Sequence, residues 1–190
     1  MPLFDSSWNR RSFLKGAVLG TLILFGYHPA SAVEYTADDG PEGRLSLFNI
    51  HSKERVRVTY RDRAGNYDLD ALNRLNWVLR CHYTGEVANM DVHTLEFLNT
   101  VDKKLGGDHE IHIISGYRSP TYNKLLRNEG HKVARHSLHM EGKAIDIHIP
   151  GIGLDTVRKV ALATRFGGVG YYPGPGFVHI DSGKFRVWQQ

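Results

Sequence analysis

The chain has 190 residues, 41% hydrophobic and 23% charged, with a formal net charge of +4. That length and apolar content suit one folded domain and exclude global disorder. A lone cysteine, Cys81, excludes an intramolecular disulfide framework. Two of the four excess charges belong to residues 1–32, where Arg10, Arg11 and Lys15 outweigh Asp5. What is left is too weak to mark a nucleic-acid-binding protein.

The first 32 residues read as a targeting segment. Asn9-Arg10-Arg11-Ser12-Phe13-Leu14-Lys15 precedes an uncharged, mostly apolar run at 16–26, and Ala30-Ser31-Ala32 offers a small-residue cleavage site. The apolar run is far shorter than the roughly 20 residues needed to span a bilayer, so no stable membrane span is expected in the mature chain. Basic region, short apolar region and small residues in that order describe a secretory signal. The paired arginines resemble a twin-arginine export signal, which implies the twin-arginine translocase as a partner and the periplasm as the destination. Residues 33–43 form a polar lead-in, and 44–190 form the folded domain, including a hairpin at 44–60.

Residues 44–50 and 55–60 read as two strands joined at 51–54. In the second, Val56, Val58 and Tyr60 alternate with Arg55, Arg57 and Thr59. This predicts a β-hairpin that extends the main sheet. Leu69, Leu72, Leu75, Val78 and Leu79 fall at helical spacing behind an Asp68 cap. Val92, Leu95, Leu98, Val101 and Leu105 repeat the pattern behind Asp91, and Gly106-Gly107 ends it. His82 and His93, beside these helices, read as surface or packing residues. Residues 110–114 form a strand, and Ser119-Pro120 caps and opens a helix to about Asn128. Arg118 therefore sits at a strand-to-helix junction, as a structural ion pair or an anion partner. A polar loop at 129–135 leads to a strand at 144–149, an amphipathic helix through Arg165, a glycine-rich strand from Gly167, a turn at 173–176 and a strand at 177–181. The glycines do not form a phosphate loop, because no helix and no lysine–serine pair follows them. The fold class is α+β: a small antiparallel sheet built from the Glu110, Ala144, Gly168 and Phe177 strands. Helices cover one face, the site lies on the other, and the hairpin extends the edge.

The chemistry concentrates near the end of the chain. His139 and Asp146 flank a glycine turn. Asp146 and His148 project from one strand face, as do His179 and Asp181. Two histidines and a carboxylate are ligand types that hold Zn²⁺ and leave a position open for water. The spacing matches no zincin or zinc-finger motif. Spacing alone therefore leaves open both a zinc site and three packed, hydrogen-bonded side chains.

Ser137-x-His139-x-x-Gly142-x-Ala144-x-Asp146, preceded by Ser115-Gly116-Tyr117-Arg118-Ser119 and followed by Phe177-Val178-His179-Ile180-Asp181, resembles the D-alanyl-D-alanine metallopeptidases. That group shares its zinc-site architecture with lysostaphin-type peptidases and the hedgehog signalling domain. With a twin-arginine-like signal and an N-terminal hairpin, the chain is most similar to the murein endopeptidase K branch, over about residues 43–188. The resemblance implies His139, Asp146 and His179 as zinc ligands. It implies Arg118 as the residue that polarises the scissile carbonyl and stabilises the developing oxyanion. The implied reaction is hydrolysis of an amide bond in a peptidoglycan stem peptide or cross-bridge. One departure matters. Many members carry a proton-accepting residue two or three positions before the last zinc histidine, where this chain has Phe177 and Gly176. Strand alternation offers His148 and Asp181 instead, as proton carriers or as groups that orient a ligand; Glu141, in a turn, ranks below both. The missing base keeps open a second reading, a zinc-containing peptidoglycan-binding module without turnover. The bond cleaved (D-Ala to diaminopimelate, D-Ala to D-Ala, or an L,D linkage) also stays open.

Overall fold

The structure is a computed structural model that describes residues 42–131 and 133–190; the expected signal at 1–32 and almost all of the lead-in lie outside the described residues. The hairpin forms as its alternation requires. Strands β1 (Gly43–Asn49) and β2 (Arg55–Arg61) pair antiparallel and bury Leu45, Leu47, Val56, Val58 and Tyr60 on one face. Asn49 closes the turn: its side-chain oxygen accepts from the backbone N–H of His51 and Ser52, and its amide donates to the Val78 carbonyl.

Two capped helices follow. The Asp68 carboxylate accepts from the N–H of Asp70 and Ala71 at the start of α1 (Leu69–Val78), and Asp91 accepts from His93 at the start of α2 (Val92–Lys104). Each such cap satisfies donors that the first helical turn cannot, for about 1 kcal/mol. Strand β3 (Glu110–Ser115) leads into α3 (Pro120–Asn128), where Ser119 Oγ accepts from Tyr122 N–H and Pro120 occupies the first turn. A short 3-10 turn (Leu138–Glu141) precedes β4 (Ala144–His148). Helix α4 (Leu154–Thr164) and strands β5 (Gly168–Tyr172), β6 (Phe177–Asp181) and β7 (Arg186–Gln189) complete the chain.

The strands join in one seven-stranded sheet, in the order β2-β1-β3-β4-β6-β5-β7. The fold is α+β, but the sheet is larger than expected and mixed: β1 runs parallel to β3, and β5 parallel to β7. Strand β7 has no counterpart in the sequence expectations, because it is short and mostly exposed and buries no alternating apolar set. Helices α1, α2 and α4 pack on the face lined by Leu47, Ile111, Ile113, Ile145, Ile147, Val178 and Ile180, all essentially fully buried. Burial of each such side chain favours folding by about 1.5–3 kcal/mol. Period-two alternation then turns Asp146, His179 and Asp181 to the opposite face. No helix among the described residues is long and apolar enough to cross a membrane.

Candidate active site

The site is built by strand register. Antiparallel pairing of β4 with β6 sets Asp146 directly opposite His179, and the β3–β4 pairing sets Ser115 beside Asp146. His139 is delivered by the 3-10 turn, which Gly142 ends in a left-handed conformation (φ 68°); a Cβ there would lie 2.4 Å from the Asn89 carbonyl oxygen. The Gly142 carbonyl accepts from Asp91 N–H, and the backbone N–H of Arg118 donates to the His139 carbonyl. The turn is therefore tied both to α2 and to the loop that carries Arg118.

The three expected ligands converge. His139 Nε2 lies 3.2 Å from His179 Nδ1 and 3.3 Å from Asp146 Oδ1, and His179 Nδ1 lies 2.7 Å from the same oxygen. All three residues are buried. The outward atoms of both rings have partners that only accept protons or hold charge. His139 Nδ1 donates to the Gly116 carbonyl (2.7 Å), and His179 Nε2 faces Asp181 Oδ2 (2.9 Å). With the ring protons on those outer atoms, the inner nitrogens keep their lone pairs. Two nitrogen lone pairs and a carboxylate oxygen then point at one spot, with no donor of their own to share. A cation resolves that arrangement. Ligand bonds of about 2.0–2.1 Å in a tetrahedron put ligand atoms about 3.3 Å apart, which two of the three separations match. The donor set therefore fits a zinc-like ion.

The electrostatics agree. Burial alone would raise the Asp146 carboxyl; His139 and His179 reverse this and hold it well below the usual carboxylate range. Burial pushes the His139 imidazole down despite Asp146, so the ring is neutral as a ligand must be. For His179, burial is outweighed by its hydrogen bonds to the Asp146 and Asp181 carboxylates, which raise its proton affinity when no cation is present.

Arg118 lies beside this cluster, 8% exposed. Its Nη2 is 3.5 Å from Asp146 Oδ2 and 3.4 Å from Ser115 Oγ, and its Nε has no hydrogen-bond partner. A buried guanidinium with donors to spare faces a cavity of about 660 Å³ above the three ligands. One wall of the cavity is His51, His82 and Tyr122; the other is Tyr172, Phe177 and Trp188. The first wall is a ladder of rings, with His51 stacked on His82 (3.8 Å between centroids) and the edge of His82 against Tyr122 (4.9 Å). Burial, with help from His51 and Arg118, lowers the His82 pKa to about 4, so His82 is neutral at physiological pH.

The two expected proton carriers are not presented to the cavity. His148 is on the same face of β4 as Asp146 but further along the strand. Its register partner is His112, whose ring is 6.2 Å away, and His112 in turn packs edge-on against Phe48. That row of rings leads away from the cavity, whose lining does not include His148. Asp181 is 0% exposed and both its oxygens are filled, by His179, Arg186 and the N–H groups of Gly168 and Gly183. Burial would raise its carboxyl; His179 and Arg186 lower it instead, to about 2. The structure thus gives Asp181 an orienting geometry rather than access to water. Glu141 pairs with Lys143 at the surface. Among residues the sequence did not mark for the site, His51, His82, Tyr172 and Trp188 line the cavity. They come from two loops and the strands β5 and β7, and no local motif joins them.

The family model described as peptidoglycan L,D-endopeptidase MepK, a peptidase family, matches residues 37–188. The chain is 37% identical over 188 residues to the peptidoglycan L,D-endopeptidase MepK of Escherichia coli K12, which spans 99% of this chain and all of that protein. The Shigella flexneri protein of the same name matches equally well. The probable peptidoglycan L,D-endopeptidase MepK of Haemophilus influenzae is 35% identical over 185 residues, 95% of this chain and 96% of its own. No solved structure matches at a significant level.

Proposed function

The chain belongs to the peptidoglycan L,D-endopeptidase MepK family of peptidases, and from that premise we propose that it is a zinc enzyme hydrolysing an L,D amide bond in peptidoglycan peptides. The observation that carries the metal reading is the convergence of His139 Nε2, Asp146 Oδ1 and His179 Nδ1, with a proton acceptor beside the outer nitrogen of each ring. The choice of an L,D linkage rests on what the relatives' names state.

Zinc held there supplies Lewis-acid activation of water and of the scissile carbonyl. The protein's own residues do the rest. His139, Asp146 and His179 hold the ion. Arg118 keeps its charge at any pH the protein meets and aims spare N–H donors into the cavity, where charge develops on the carbonyl oxygen. Burial makes each such donor count for more than it would in water. The ring-lined walls grip the peptide on either side and exclude bulk water. The proton removed from water passes to the lining of the cavity, whose histidines outside the ligand set are His51, His82, His131 and His136. The binding module without turnover rested only on the family's empty base position, and no feature of the cavity favours it. The export reading of residues 1–32 completes the proposal, with the twin-arginine translocase as route and the periplasm, where peptidoglycan lies, as destination.

The test is metal-dependent turnover. Purified protein should contain about one zinc per chain and release peptides from peptidoglycan fragments. Chelation should stop that release and zinc should restore it, while His139→Ala should hold no zinc. Release that survives full chelation would refute the proposal.

A further inference from the structure

Two neighbouring rows of side chains cross the sheet on the site face. One runs Asp146–His179–Gly170–Trp188 and the next Ala144–Asp181–Gly168–Arg186, each residue paired with the next through β4, β6, β5 and β7. In both rows the β5 position is glycine, and in both the gap is filled from β7. A Cβ on Gly168 would lie 2.4 Å from Asp181 Oδ2 and 2.6 Å from Arg186 Nη1; one on Gly170 would lie 2.6 Å from the Trp188 indole. Through these gaps Arg186 reaches Asp181 with two parallel bonds, Nη1 to Oδ1 (2.9 Å) and Nη2 to Oδ2 (2.8 Å). The Trp188 ring reaches His179, 5.1 Å between centroids, and its Nε1 donates to the Tyr172 hydroxyl (2.8 Å). The glycine-rich strand is thus a seat that brings the C-terminal strand onto the last expected ligand.

We infer that Asp181 and Arg186 form a tautomer clamp, positioning residues that keep the His179 proton on Nε2 and so leave Nδ1 free for the metal. The oxygens of Asp181 divide the work. Oδ1 accepts from Arg186 Nη1 and from the backbone N–H of Gly168 (3.3 Å) and Gly183 (2.9 Å); Oδ2 accepts from His179 Nε2 and Arg186 Nη2. A carboxylate satisfies all five donors. Arg186 fixes its rotation, so that one oxygen always faces the ring. Carboxylates that hold a ligand histidine in this way are worth about 10–100-fold in metal affinity.

The clamp rests on the zinc reading, and it makes an unusual demand on the isosteric substitution. In Asp181→Asn the oxygen must take the Oδ1 position, where three donors converge, so the NH₂ falls at the Oδ2 position. It then donates to His179 Nε2, moves the ring proton to Nδ1 and blocks the ligand atom. Asp181→Asn should therefore bind zinc at least about 100-fold more weakly, at the far end of the range for such partners. Asp181→Ala, which leaves the ring free to take either tautomer, should lose only about 10-fold. Chelator competition measures the affinities. Long-range ¹H–¹⁵N spectra of the metal-free protein, at a pH where the ring is neutral, locate the His179 proton: on Nε2 in the wild type, on Nδ1 in Asp181→Asn. Wild-type zinc affinity in Asp181→Asn, or weakened affinity with the proton still on Nε2, overturns the clamp. If the Asp181 variants do not unfold cooperatively without metal, Arg186→Gln takes their place; about 10-fold weaker zinc binding supports the clamp and unchanged binding overturns it. Failure of the wild type to bind zinc would instead sink the zinc reading itself.

Discussion

Arg118 and His82 show how burial turns ordinary side chains into site chemistry. Arg118 is a long, permanently charged side chain with an unpartnered Nε and only long contacts to Ser115 and Asp146. In Arg118→Gln, kcat should fall by about 10²–10³-fold, the loss typical when one donor to a developing oxyanion is removed, while the zinc content is unchanged. Loss of the metal along with the rate would make Arg118 a structural partner of Asp146 instead. His82 gives a pH dependence. Its folded pKa of about 4 lies below the usual value of about 6.5. Between those values the unfolded chain binds a proton that the folded protein refuses, so stability falls as pH drops through that window and levels off below it. His82→Phe keeps a ring in the stack and removes the titration. Its urea midpoint should fall less than that of the wild type between about pH 7 and about pH 4.5, and equal falls would contradict the assignment. These residues also mark the limit of legibility. His139, Asp146, His179 and Arg118 were visible as spaced residue types within a resembling motif. The His51–His82 wall was not, because it exists only after the hairpin turn meets the segment following α1.

At the scale of elements, strand alternation was the most informative signal. It predicted the hairpin, β3, β4, β5 and β6 and the face on which Asp146 and Asp181 lie, and capping residues placed α1, α2 and α3. It also nominated His148, correctly as a residue on the Asp146 face. Alternation gives the face but not the distance along the strand, and the register with β3 puts His148 among His112 and Phe48, outside the cavity. Strand β7 was invisible because its contribution is polar: it supplies Arg186 and Trp188 to the site rather than apolar side chains to the core. The Gly142 turn offers an element-level test. Gly142→Ala adds a Cβ at positive φ against the Asn89 carbonyl. That should cost about 1–3 kcal/mol of stability, read as a lower denaturation midpoint, and should weaken zinc binding because the turn carries His139. A wild-type midpoint and affinity would show that the turn can relax without moving the ligand.

For the whole molecule, the sheet separates two jobs. One face, covered by α1, α2 and α4, is apolar and supplies stability; the other carries a charged cluster whose burial would be unfavourable without its partners. Family membership over nearly the full chain makes the protein a peptidoglycan peptidase; in the function proposed above, that second face meets the peptides, and the export reading of residues 1–32 would bring it to them. The most direct test of the account is the digestion of a defined cross-linked muropeptide by zinc-loaded protein, with products identified by mass. The account predicts cleavage at the L,D amide bond, abolished by a chelator and restored by zinc. An intact substrate with the metal site filled, or cleavage only at a D,D bond, would contradict it.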